Sequence, residues 1–375
     1  MSHHVKTPKR RTGPMAADPL HMAPVDAVPA TTTPSLRRRF SQALATRPIL
    51  AMVLTRLALG AVTIILIAII VYAATTVLPG DAATAILGHS ATPERVANLR
   101  VELGLDKPLL TRFWHWATNA LRVDFGNSLG EGAPATSVGT VASNKVTSLA
   151  SERIENSAVL VLLSAVISTV LGLLMGVYAA YRRDGFFDTV GSVFSLVASA
   201  LPEFVVAIFC VLLFSTSVFH LFPAISVLEP GVSILSEPEK LVLPVLALVI
   251  VVTPYMFRMT RGAMIEALDS DYVEFARLKG ASTARVALRH ALPNALAPII
   301  QVVGLNLLFL AGGIVLVETI FAYPGLGLML VNAINGRNVT EIQYIVILLA
   351  VFYVLLNIVT DVCVLIVTPR RRYPR

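Results

Sequence analysis

Apolar residues along the chain gather into six runs, at 57–78, 158–181, 189–215, 241–257, 298–317 and 343–367. Each is long enough, as a helix, to approach or cross a hydrocarbon core that takes about 20 residues. The pattern predicts an all-α polytopic membrane protein with six transmembrane helices and both termini on one side. The fourth run is the shortest and holds Pro244 and Pro254, which remove backbone donors from a helix.

The polar stretches between the runs organise the rest. Residues 1–47 carry Pro, Thr, Ala and clustered basic residues without apolar periodicity, and read as a disordered basic tail. The first apolar run starts too far along to be a secretory signal, so 48–78 is expected to remain as an anchor helix. Residues 79–157 form the longest polar segment, expected on the outer side as short helices. Trp114 and Trp116 within it suit either a headgroup interface or a small packed subdomain. From Gly130 to Ser151 the composition turns to Gly, Ala, Ser and Thr, the signature of a flexible insert.

Composition supports the bilayer as solvent. The chain is 55% hydrophobic and only 14% charged, with mean hydropathy +0.74, whereas about a quarter of a soluble chain is charged. The net charge of +7 does not indicate nucleic-acid binding, because the basic residues flank apolar runs as orientation signals do. On the side of the termini lie 21 of the 30 Lys and Arg residues, against nine opposite. Acidic residues divide eight to thirteen the other way, with Glu203 and Asp361 inside runs. Both termini are therefore expected in the cytoplasm. Cys210 and Cys363 lie far apart in apolar runs, and the histidines have no ligand spacing, so no metal site is expected.

Catalytic chemistry has no foothold in this pattern. The chain has no GxxxxGK[ST] phosphate loop and no Ser/Lys, Asp/Asp or HExxH arrangement in its runs, so neither an ATPase nor an intramembrane enzyme is expected. A self-sufficient secondary transporter needs ionisable groups well inside its spans, and only Glu203 and Asp361 are offered. Asp361 is expected to pair with Arg370–Arg372, and Glu203 to sit near Arg182 and Arg183. Gln301, Asn306 and Asn357 are candidates for a translocation pathway or for helix contacts. Gly172 with Gly176, and Gly312-Gly313, permit close helix approach.

The most informative stretch runs from about 266 to 294. Glu266, Glu274, Arg277 and Lys279 alternate in sign, while Tyr272, Phe275, Ala276 and Leu278 supply apolar surface. Gly280 marks a helix end, and a second helix-like piece is expected to end at Pro293. The arrangement predicts a helix-turn-helix on the cytoplasmic face. Its apolar patch could serve either a protein partner or the headgroup layer.

Glu274-Phe275-Ala276, Gly280 after three further residues, and Leu292-Pro293 resemble the EAA loop of ABC importer permeases. Further elements follow in order: Pro79-Gly80-Asp81; Leu103-Gly104-Leu105-Asp106-Lys107-Pro108-Leu109; Asp124-Phe125-Gly126-Asn127-Ser128; and Val317-Glu318-Thr319-Ile320-Phe321-Ala322-Tyr323-Pro324-Gly325-Leu326-Gly327. Together they resemble the dipeptide/oligopeptide/nickel permease family, and within it the first of two paired permeases. Phe275 in place of the motif's first Ala, His290 where many members carry Ile, the long tail and the 130–151 insert depart from that pattern.

The resemblance implies a type I ABC importer permease fold in a bacterial plasma membrane, with a five-helix core over 158–369 and a basic tail at 370–375. Glu274, Phe275, Ala276, Arg277, Lys279, Gly280, Leu292 and Pro293 would couple the chain to an ATPase subunit. Glu318, Tyr323, Pro324, Gly325 and Gly327 would form an outer gate or docking loop. It implies as partners a homologous second permease, two ATPase subunits and an extracytoplasmic solute-binding protein, within lipid. ATP and Mg2+ would be used by those partners, with no cofactor on this chain. Peptides are the expected cargo, with nickel, glutathione or another small solute as alternatives.

Overall fold

The computed structural model describes residues 48–77, 92–102, 106–128, 145–229 and 231–367. The expectations for the tails 1–47 and 370–375, for Pro79-Gly80-Asp81, for Leu103–Leu105 and for 130–144 lie outside these residues. In chain order the helices are α1 (Pro48–Val77), α2 (Pro93–Glu102), α3 (Leu109–Leu121), α4 (Val146–Tyr181), α5 (Phe186–Ala200) and α6 (Glu203–Val211). They continue with α7 (Glu239–Leu268), α8 (Asp271–Leu278), α9 (Leu292–Ile320), α10 (Leu326–Asn335) and α11 (Val339–Val367).

Among the described residues five helical segments are long and apolar enough to cross a membrane: α1, α4, α7, the rod Thr283–Ile320 that ends in α9, and α11. The run at 189–215 is not one straight span. It is the pair α5 and α6, bent by 101°, and counting the pair as one span gives six. The break follows from Pro202. Proline disfavours the α conformation in the residue before it, and Leu201 is extended at φ −84°, ψ 129°.

The run at 241–257, interrupted by prolines, becomes the 30-residue helix α7, which passes both Pro244 and Pro254. Burial on several sides keeps it continuous: α7 packs against α4, α5, α6 and α9. Leu243, Leu248 and Met256 on it are fully buried. α4 starts at Val146, twelve residues before the apolar run, so residues 146–151 of the expected flexible insert are helical.

Small residues set the approach of α4 to α7. A Cβ on Gly172 would meet the Met256 side chain at 2.6 Å, and one on Gly176 would meet the carbonyl oxygen of Phe257 at 2.8 Å. The same device recurs between α9 and α11, where Gly304 faces Thr360. α1 lies along α11, joined at one end by Arg56 and Asp361 at 2.7 Å and at the other by Gln343 and Thr75 at 2.8 Å. Asp361 thus finds its partner on α1, because antiparallel packing brings Arg56 level with it; Arg370–Arg372 lie outside the described residues.

The short helix α3 and the segment that follows it dock through aromatic rings. Tyr72 of α1 lies 5.3 Å from Phe113 and 5.2 Å from Trp116, and Phe125 lies 5.1 Å from Tyr344 of α11. The two tryptophans therefore divide: Trp116 packs into this chain of rings, while Trp114 is 61% exposed.

Candidate functional site

At one end of the bundle α8 follows α7 after a two-residue turn. Ser270 precedes it, and Asp271 and Glu274 occupy its first turn, where negative charge suits the exposed backbone N–H groups. The helix stops at Gly280, whose φ of +80° lies in the left-handed region. The N–H of Ala281 reaches the carbonyl of Ala276, and that of Gly280 reaches Arg277. This is the Schellman pairing that closes a helix at a left-handed residue.

Val273 is the buried residue of α8 and packs with Met264 and Val286 beneath it. The opposite surface is open, with Tyr272 42%, Phe275 65% and Leu278 76% exposed, beside the exposed Glu274, Arg277 and Lys279.

The chain then enters Thr283–Arg285, a π-helical stretch over Val286–Ala291, and α9. The second piece does not end at Pro293. Pro293 sits in the first turn of α9, where a missing N–H costs little, and the helical rod continues to Ile320. Leu292 is half-buried beside Ala291 and Ala295.

Two ion pairs brace this end. Asp188 of α5 accepts two hydrogen bonds from Arg261 of α7, from Nε and, at 2.8 Å, from Nη2. It also accepts the backbone N–H of Asp184 at 3.0 Å. Arg183 pairs with Asp269, just before α8, at 3.2 Å. Sequence reasoning missed the buried pair; its signal was an Asp and an Arg each set at the end of an apolar run.

At the opposite end the motif 318–327 wraps around one carboxylate. Glu318, in the last turn of α9, is fully buried. It accepts the Ser157 hydroxyl of α4 at 2.6 Å, the N–H of Gly327 at 2.7 Å and that of Leu328 at 3.0 Å. Ser157 in turn accepts the N–H of Leu326 at 2.8 Å. Asn156 donates to the Pro324 carbonyl at 2.9 Å, and Tyr323 donates to the Asn156 carbonyl at 2.7 Å. Burial, together with the neighbouring Glu318 charge, pushes the Tyr323 phenol above its ordinary range.

Glycines are needed in this wrap for space. A Cβ on Gly325 would collide with Glu318, and one on Gly327 would lie 2.6 Å from the Val315 backbone. The Phe321 carbonyl also accepts the N–H of Ser226, which ties in the segment between α6 and α7.

The three pathway candidates are not brought together. Asn306 is buried, with its amide 3.5 Å from the Met256 sulfur, and serves α7–α9 packing. Gln301 lies on the exposed stripe of α9 with Leu305 and Phe309. Asn357 is exposed on α11 and bonds its own helix at Tyr353. Glu203, with the helix α5 between it and Arg182–Arg183, lies against Gly313 of α9. Among the described residues no group of three or more His, Cys, Asp or Glu side chains could hold a metal ion.

The sequence is similar to those of known proteins. A family model described as the binding-protein-dependent transport system inner membrane component matches residues 169–373. A second, described as the N-terminal part of such a membrane component, matches residues 49–171. A Sinorhizobium fredii chain named as a probable peptide ABC transporter permease protein is 35% identical over 86% of this chain and 99% of its own length. A glutathione transport system permease protein of Salmonella choleraesuis is 32% identical over 83% of this chain and 95% of its own.

Proposed function

The chain belongs to the family of binding-protein-dependent transport system inner membrane components, and from that premise we propose that it forms half of an import pathway for short peptides. As a permease of an ABC importer it is a non-catalytic membrane subunit. ATP hydrolysis and solute capture fall to ATPase and binding-protein partners.

The observation that carries the proposal is the exposed face of α8. Tyr272, Phe275 and Leu278 present apolar surface amid charges, and such a patch calls for a protein to cover it. In this reading α8 seats in a groove on an ATPase subunit, with Glu274, Phe275, Ala276, Arg277 and Lys279 in the contact. Gly280 makes the turn, and Leu292-Pro293 leads into the rod. That end faces the cytoplasm, as do both termini. Closure of two ATPase subunits around ATP and Mg2+ pushes on α8, and the rod Thr283–Ile320 moves as a rigid body. The motif around Glu318, Tyr323, Pro324, Gly325 and Gly327 lies at the rod's far end and forms the outer gate. A homologous second permease supplies the other half of the pathway.

Short peptides are favoured as cargo because the relatives carry peptide and glutathione names, and glutathione is itself a tripeptide. The test is reconstitution of the chain with its second permease, ATPase and binding protein in liposomes. Peptide uptake should require ATP, and Phe275→Ala should lower both copurification of the ATPase and the ATPase activity stimulated by loaded binding protein. Peptide uptake by this chain with no ATPase present would rule the reading out in favour of a secondary transporter.

A further inference from the structure

Ionisable groups inside apolar helices are costly and are kept where they are paired or face a polar cavity. In this chain Arg56 pairs with Asp361, Asp188 with Arg261, and Glu318 is capped by a hydroxyl and two backbone N–H groups. Glu203 is different. It opens α6 directly after the 101° break, and its Oε2 is buried with no hydrogen-bond partner among the described residues. The side chain as a whole remains partly exposed.

Its position is defined by α9. The carboxylate presses against Gly313, and no side chain could stand there without displacing it. Gly313 lies five residues before Glu318, about 7.5 Å along the helix axis. The carboxylate therefore sits just inside the end of the bundle closed by the Glu318 wrap. Gly312 beside it continues the exposed stripe of Gln301, Leu305 and Phe309. A carboxylate with an open side is costly against lipid tails, so the open side of Glu203 calls for a polar or cationic partner.

We propose that the Glu203 carboxylate is a recognition point for a cation, and that the cation is the amino group of the cargo as it passes the outer gate. This rests on the peptide reading above. A free ammonium group is common to short peptides whatever their side chains, and one unpaired carboxylate on an otherwise apolar wall holds it without selecting sequence. The Gly312-Gly313 pair keeps the opposing helix flat enough for the carboxylate to lie against it.

The experiment uses the complete transporter in proteoliposomes. Uptake per loaded binding protein is measured for a dipeptide and for its desamino analogue, which carries hydrogen in place of the amino group. The wild type should favour the free-amino peptide by roughly tenfold to a hundredfold, the scale of a hydrogen bond to a charged group. Glu203→Gln should bring that ratio close to one while leaving stimulated ATPase activity in place, and Glu203→Asp should keep most of the preference.

Gly313→Ala displaces the carboxylate without removing it and should lower the ratio as well, which covers the case where Glu203→Gln fails to assemble. A ratio near one in the wild type, or one unchanged in both variants, overturns the proposal. So does an equal loss for both substrates, which would assign the carboxylate to a cation of the neighbouring permease. Uptake that needs no ATPase, or no peptide uptake by the wild type, would instead defeat the peptide-importer reading itself.

Discussion

The carboxylate of Glu318 accepts the backbone N–H of Gly327 at 2.7 Å, so the last turn of α9 holds the first turn of α10. Ser157 joins the same carboxylate to α4. Because α9 continues the rod that begins at Thr283, one helical body carries this junction at one end and the turn after α8 at the other. Between the turn after α8 and the Glu318 junction the rod is continuous, with a π-helical stretch over Val286–Ala291 near its start.

Removing the Glu318 carboxylate is expected to cost several kcal/mol. Glu318→Ala leaves the Ser157 hydroxyl and the N–H groups of Gly327 and Leu328 buried without their acceptor, at about 1–3 kcal/mol for each group stranded. Glu318→Gln keeps one acceptor oxygen and should lose less. Thermal unfolding of the detergent-solubilised chain should rank wild type above Gln and Gln above Ala. Equal melting temperatures for all three would show that the wrap does not hold the helices together.

At Gly280 the expected effect is conformational, since a Cβ would meet nothing within 4 Å there but φ is +80°. Gly280→Ala should cost about 1 kcal/mol and, more tellingly, weaken the fixed angle between α8 and the rod. Gly280→Asn, which tolerates the left-handed region better, should retain more coupling. The measurement is the ratio of peptide uptake to ATP hydrolysis in the assembled transporter, expected to fall in the order Gly, Asn, Ala. A ratio that ignores the substitution would mean that the turn at Gly280 plays no part in transmission.

Much of this architecture was legible in the chain. The six apolar runs mark the spans, and the Glu274 to Gly280 motif marks α8, because helix periodicity and a left-handed stop are local properties. What the pattern concealed depends on neighbours. The run at 189–215 reads as one span, and its 101° bend at Pro202 depends on α6 finding a bed on α7 and α9. The continuity of α7 through Pro244 and Pro254 depends on burial among α4, α5, α6 and α9. The Arg56–Asp361 pair joins residues about 300 positions apart, and nothing local announces it. The same holds for Glu318: the glycines at 325 and 327 were conspicuous, whereas the carboxylate they wrap became evident only when α4 was laid against it.

The Asp188–Arg261 pair makes a separate case. Asp188 is 3% exposed in its side chain and Arg261 28%, so Arg261→Ala strands a buried carboxylate. Breaking a buried pair from one side typically costs about 3–5 kcal/mol. Arg261→Lys should rescue little, because the observed contact uses two guanidinium nitrogens and an ammonium cannot reproduce that fork. Replacing both residues by apolar ones of similar size should cost less than Arg261→Ala alone. Melting temperatures of the two single variants and the double variant form the cycle that tests this, and strict additivity would show that the pair is not coupled.

Glycines on α7 and on the helix it packs against give the sharpest contrast, because chemistry is held constant while surroundings change. Gly176 of α4 has no room: a Cβ would lie 2.7 Å from Thr260 Cβ and 2.8 Å from the Phe257 carbonyl oxygen, and a backbone atom cannot rotate away. Gly176→Ala should therefore push α4 from α7 and destabilise by about 1–3 kcal/mol, the usual range for overpacking. Gly262, inside α7 with nothing within 4 Å of its would-be Cβ, should behave oppositely. There Ala restricts the unfolded chain without a clash, worth about 0.4–1 kcal/mol of added stability. Thermal melts of the two variants should move in opposite directions from the wild type. If both fell alike, the α4–α7 contact at Gly176 would not be the reason for glycine there, and the close packing of these helices would need another account.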